Sequence, residues 1–139
     1  MKHFRSVYAR ATLLVAVTLF MAGCSVMSGV DAVTYLDALA VKDVNLAAVP
    51  NGTYAGEYTL ALPPGQYAMY RHISVQVTVA GGAYTGIVIL DPPSLAVDSG
   101  FLGLIDRIET KNSLAVDAVS GATYSTKAML KAVEAAVTP

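Results

Sequence analysis

The sequence predicts an α+β domain, a small antiparallel sheet of three to four strands with helices packed on it. Three observations carry the prediction. Over residues 71–80, Ile73, Val75, Val77 and Val79 alternate with His72, Ser74, Gln76 and Thr78, the two-residue period of a strand with one buried face. Gly81 and Gly82 follow at once, the signal of a tight hairpin. Near the end, Met129, Ala132, Val133 and Ala136 fall on one helical face and Lys127, Lys131, Glu134 and Thr138 on the other, which is the pattern of an amphipathic helix over 125–137.

The chain opens on an address rather than on the domain. Lys2, Arg5 and Arg10 precede an apolar run over 11–21, and Ala22-Gly23-Cys24 follows. A basic start, a short apolar stretch and small residues at a cleavage point make a signal peptide over 1–23, and the run is short for a membrane span. The cysteine directly after small residues resembles a bacterial lipoprotein signal, although Met21 stands where such signals usually have Leu. The resemblance implies that Cys24 is lipidated and becomes the mature N-terminus, so that the protein is extracytoplasmic and membrane-anchored, on the periplasmic side or the cell surface. An ordinary secretory signal is the alternative. Residues 24–48 read as a tether with a short helix over 30–40, where Val33, Leu36 and Ala40 have helical spacing, and the domain occupies 49–139.

Composition removes several function classes. At 139 residues the chain suits one domain. From Cys24 onward Lys42, Arg71, Arg107, Lys111, Lys127 and Lys131 face all ten acids, a formal net of −4, which leaves no electrostatic footprint for nucleic acid. The single cysteine permits no internal disulfide. His72 is the one histidine after the leader, too few ligands for a zinc or haem site. A hydrolase triad of Ser120, His72 and Asp117 lacks the Gly-x-Ser-x-Gly elbow.

Within the domain, Asn51-Gly52 signals a turn. Residues 53–60 alternate Tyr54, Gly56, Tyr58 and Leu60 with polar neighbours, a strand in which Gly56 marks a bulge or the close approach of another backbone. Residues 62–65 form a Pro-Gly loop. After the glycine pair, 83–90 returns as a strand apolar on both sides and is expected to lie centrally. Ser99 is expected to cap a helix whose Phe101, Leu104, Ile105 and Ile108 share a face. Residues 113–116 offer one more short strand.

The stretch 117–126 concentrates chemistry: Asp117, Gly121 and the hydroxyls of Ser120, Thr123, Ser125 and Thr126 stand just before the last helix. A turn there leaves N–H groups that favour an anion such as phosphate, and the hydroxyls offer either helix caps or a point of covalent attachment. The sequence Asp117-Ala-Val-Ser120-Gly121-Ala122-Thr123 resembles the flavinylation motif of FMN-binding domains, whose relatives include the covalently flavinylated subunits of the sodium-translocating quinone reductase and the Rnf complex. Three further landmarks occur in order: 50–56 is similar to the family's opening strand, 75–79 and 87–90 to its central hairpin, and 127–137 to its closing helix.

The resemblance implies a phosphoester between FMN and Thr123, made by a separate flavin transferase that takes FAD as donor and needs magnesium. Asp117, Ser120, Gly121 and Ala122 would hold the turn or orient the incoming group, and Ser125 and Thr126 are minor alternative acceptors. Tyr54 or Tyr124 could cover the ring, or simply pack the sheet. On this reading the domain is an electron carrier or redox subunit rather than a stand-alone enzyme, relaying electrons between a membrane oxidoreductase and an exported or extracellular acceptor. A non-redox lipoprotein that uses the same fold for binding or scaffolding is the alternative.

Overall fold

A computed structural model describes residues 39–62, 65, 67, 68 and 70–138. The signal peptide, Cys24 and all but the last two residues of the helix expected over 30–40 lie outside the described residues. Three strands, β1 (Gly52–Thr59), β2 (His72–Ala80) and β3 (Ala83–Asp91), form an antiparallel sheet in the order β1-β2-β3. Two helices follow, α1 (Ser99–Lys111) and α2 (Thr123–Val137). α2 packs over β1 and β2, and α1 lies against β3. The fold class is the α+β arrangement the pattern predicts.

Alternation on β2 translates directly into burial. Ile73, Val75, Val77 and Val79 are buried beneath the helices, where Leu104, Ile108, Met129 and Val133 meet them as the core. The opposite face carries the exposed His72 and Gln76. Gly81 and Gly82 turn the hairpin with φ of 61° and 76°, the left-handed pair that matches the twist of the flanking strands. At Gly56 a Cβ would collide with the Ala132 carbonyl oxygen and the Ala136 backbone nitrogen. The glycine therefore marks the close passage of another backbone, that of α2.

Three expectations require correction. β3 is an edge strand, not a central one. Its apolar residues on both sides reflect register shifts: Thr78 pairs with Gly86 but Val79 with Tyr84, leaving Thr85 as an extra residue. The bulge lets Tyr84, Ile87 and Ile89 all face the core while Val88 and Leu90 stay exposed. The outer edge of β3 is occupied by side chains from the end of α1: Tyr84 N donates to Asn112 Oδ1 at 3.0 Å and Ile87 N to Glu109 Oε1 at 3.0 Å.

The cap of α1 is Asp98, one residue before the expected Ser99. Its carboxylate accepts from Gly100 N at 2.9 Å and Phe101 N at 3.3 Å. Ser99 is the first helical residue, one position too late to bond the N–H groups that a cap reaches.

Residues 113–116 form no strand. Ser113 Oγ donates to Asp43 at 2.7 Å and Leu114 N at 3.0 Å, so a carboxylate replaces a ladder partner. These bonds, with Leu114 N first, hold the Asp43 carboxyl below its usual range against the opposing effect of desolvation. The segment that carries Asp43 is part of the packed domain, with Leu39 and Leu46 buried.

Candidate functional site

Residues 119–122 close a turn in which Ala122 N donates to Val119 O at 3.0 Å. Gly121, the third residue, has φ of 73°, as a type II turn requires. Nothing lies within 4 Å of where its Cβ would be. Glycine is therefore needed for its backbone conformation and not for room. α2 begins directly after the turn, with Ala122 as N-cap, a residue that makes no side-chain cap hydrogen bond. A fifteen-residue helix whose N-cap residue offers no side-chain acceptor directs the positive end of its dipole toward that turn, where an anion is favoured.

That start faces a cleft of about 370 Å³, within the roughly 300–1,000 Å³ of small-molecule sites. Ser120, Gly121, Ala122 and Thr123 line one side of it. Ser120, Gly121 and Thr123 are exposed and Ala122 is half-buried. Asp117 does not line the cleft. It is exposed and is held through its backbone, whose carbonyl accepts from Arg107 Nη2 at 3.2 Å.

The two residues considered as alternative acceptors behave differently from Thr123. Ser125 is 2% exposed and Thr126 0%. Thr126 Oγ1 accepts from Val119 N at 3.1 Å, and Ser125 Oγ accepts from Tyr70 N at 3.2 Å while donating to Tyr70 O at 3.4 Å. Both hydroxyls are occupied in packing the site, and neither faces solvent.

Aromatic rings make the other walls. Tyr67, Tyr70, Phe101 and Tyr124 line the cleft. Tyr70 meets Phe101 edge to face, with centroids 6.2 Å apart and planes at 89°, a favourable arrangement for two rings. Gly100 admits Val119 to the start of α1, since a Cβ there would lie 2.9 Å from Val119 Cγ1. The motif turn thus rests on the first turn of α1.

Sequence reasoning missed Tyr67, Tyr70 and Phe101 as site residues. In the sequence Phe101 stands out only as part of an apolar helical face. Tyr67 and Tyr70 fall between the Pro-Gly loop and β2, and two tyrosines in a stretch without strand alternation were the available signal. Of the two tyrosines considered as ring covers, Tyr124 lines the cleft and Tyr54 does not. Tyr54 donates its hydroxyl to Pro50 O at 2.6 Å and lines a groove with Ala136 and Val137. That is the far end of α2, about 20 Å along the axis from Thr123 at 1.5 Å per residue. His72 lies on the uncovered sheet face, 2.8 Å from Thr59 Oγ1, so no triad with Ser120 and Asp117 is assembled.

An anion-receptive helix start, a turn free of bulk and a wall of aromatic rings suit a ligand that joins a phosphate to a flat conjugated ring, as FMN does. The family model for the FMN-binding domain matches residues 69–138. The matched span takes in β2, β3, both helices and the whole motif turn, and the opening-strand resemblance over 50–56 lies before it. No curated protein and no solved structure matches the chain. The matched span carries the motif turn and all of the aromatic wall but Tyr67, and the protein belongs to the FMN-binding domain family.

Proposed function

We propose that this protein is an exported, membrane-tethered electron-transfer flavoprotein carrying FMN in phosphoester linkage to Thr123. One observation carries the attachment: Thr123 is an exposed threonine, the first residue of α2, on the rim of an aromatic cleft. Attachment needs a hydroxyl that can enter another enzyme's active site, and Thr123 meets that need where the buried Ser125 and Thr126 do not.

The reaction balances without any redox change. The Thr123 hydroxyl loses its proton and forms a P–O bond to the flavin-side phosphorus of FAD, while the pyrophosphate bond breaks and AMP leaves. A flavin transferase with magnesium performs this step, and Thr123 is its acceptor. The positive end of the α2 dipole would then face the remaining negative charge of the phosphodiester. Gly121 and Ala122 keep the approach free of side-chain bulk. Tyr67, Tyr70, Phe101 and Tyr124 present apolar faces to the ring and limit its contact with water. Bound FMN supplies reversible one- and two-electron chemistry, and the protein supplies binding, orientation and surroundings.

The leader, the lipidation of Cys24 and a relay between a membrane oxidoreductase and an exported or extracellular acceptor are parts of the same proposal. They are supported by the basic and apolar start of the chain and by Ala22-Gly23-Cys24. Intact mass after coexpression with a flavin transferase tests the attachment. A mass increased by one FMN, lost in Thr123→Ala, is the expected result. An unmodified chain would favour a non-redox binding or scaffolding role for the fold. Labelling of Cys24 by a radioactive lipid precursor tests the anchor, and a soluble, unlabelled exported protein would refute it.

A further inference from the structure

We propose that Ser125 and Thr126 are positioning residues that set two walls of the cleft separately, Thr126 the turn that presents Thr123 and Ser125 the tyrosine wall that meets the flavin ring. The inference rests on flavin attachment at Thr123. Hydroxyls in the first turn of a helix ordinarily bond to nearby backbone. These two reach outward instead. Thr126 Oγ1 takes the N–H of Val119, the first residue of the motif turn, across seven positions. Ser125 Oγ takes the N–H of Tyr70 and returns a hydrogen bond to its carbonyl, across 55 positions.

Neither backbone group has a ladder to fall back on. Val119 belongs to an irregular stretch between α1 and α2, and Tyr70 precedes the start of β2. Removing either hydroxyl leaves a partly buried N–H unpaired and frees the segment that it holds. The consequences differ by place. Release of Val119 loosens the turn Val119–Ala122 and so the presentation of Thr123. Release of Tyr70 shifts a ring that packs edge-on against Phe101 and lines the cleft. Small misplacements matter at such sites, because reactivity falls steeply as the reacting geometry loosens.

The full chain is incubated with a flavin transferase, FAD and magnesium, the transferase limiting. Attachment rate is read by intact mass, and flavin absorption and fluorescence are read on the loaded protein. The expected pattern is crossed. Thr126→Val slows attachment by about tenfold, the scale of one lost hydrogen bond, and Thr126→Ser, which keeps the hydroxyl, restores the rate. Ser125→Ala gives the larger change in flavin fluorescence, and in a Tyr70→Ala background it adds no further change. Thermal melts accompany each variant, and Thr126→Ala replaces Thr126→Val should the latter not fold. Equal effects of Ser125→Ala and Thr126→Val on both readouts, the reverse ranking, or no rescue by Thr126→Ser would overturn the proposal. A native chain that never loads would refute attachment itself and this inference with it. A native chain that loads alongside unaffected variants would refute this inference alone.

Discussion

The two helices begin at the same cleft, and their first turns are finished in opposite ways. α1 is closed by its own chain: Asp98 accepts from Gly100 N and Phe101 N, and a carboxylate occupies the anion position. α2 has Ala122 at the equivalent place, which makes no side-chain cap hydrogen bond. The difference extends to the other end of α1, where Asn112 adopts φ of 50°, donates to Gly82 O and accepts from Tyr84 N. α1 is thus fixed at both ends as a piece of scaffold. α2, the longer and more deeply buried of the two, is held along its length by β1 and β2 and takes no cap from its N-cap side chain. A missing cap usually weakens a helix by about 1 kcal/mol. Here the packing of Ala128, Met129, Ala132 and Val133, all fully buried, makes the omission tolerable.

The comparison can be broken most severely at Thr123. Thr123→Ala is expected to remove covalent flavin completely while leaving the thermal melt of the unmodified domain nearly unchanged, because the side chain is exposed. A large fall in melting temperature would show that Thr123 has a structural role that its exposure does not imply.

Making α2 resemble α1 sharpens the contrast. Ala122→Asp supplies the missing cap and should stabilise the unmodified domain by about 1 kcal/mol. The same carboxylate should slow flavin attachment, since it occupies and repels what the phosphate would otherwise take. Denaturant unfolding and attachment rate, measured together, are expected to move in opposite directions. Making α1 resemble α2 should do less to the cofactor: Asp98→Ala is expected to cost about 1 kcal/mol through the lost cap, read by denaturant unfolding.

Gly121 separates conformation from space. Gly121→Ala meets no atom, yet its φ of 73° should cost about 1–2 kcal/mol for a residue with a Cβ. Gly121→Asn, which tolerates that conformation better, should cost less. The smallest effect lies where Asp43 ties the stretch after α1. Its folded pKa is lowered, so its stabilisation is complete above the ordinary value of 3.8 and is lost as pH falls through the folded value. Melting temperatures followed from neutral pH to below 3.8 should therefore fall less steeply in Asp43→Asn than in the native chain.

Much of this was legible before any coordinates, and the reasons are local. β2 declares itself because a strand covered on one face needs strict alternation. Gly81-Gly82 declares the hairpin because few other pairs accept two left-handed residues. Gly56 declares either a bulge or a close backbone, and only the fold shows that it is the latter and that the backbone is that of α2. What stayed hidden depends on partners distant in sequence. The bulge at Thr85 exists only in register with β2, so β3 looked central when it is an edge. Asp98 takes the cap from Ser99 because it stands one residue earlier, a distinction below the resolution of pattern. Asp43 replaces a strand partner for Leu114 across 71 positions, and no periodicity records that. The motif turn was legible as chemistry, and four of its five predicted cofactor residues line one cleft. Its aromatic walls were not legible, because Tyr70 and Phe101 lie far apart in sequence and meet only in the folded domain.

At the centre stands the proposed attachment of a flavin phosphate to Thr123 at the start of α2. The most direct measurement is peptide mass spectrometry of the chain coexpressed with a flavin transferase. The account predicts a single FMN-bearing peptide, fragmenting to place the mass on Thr123 and absent from Thr123→Ala. FMN mapped to Ser125, Thr126 or Ser120, or a chain that stays unmodified beside a transferase active on another substrate, would contradict it.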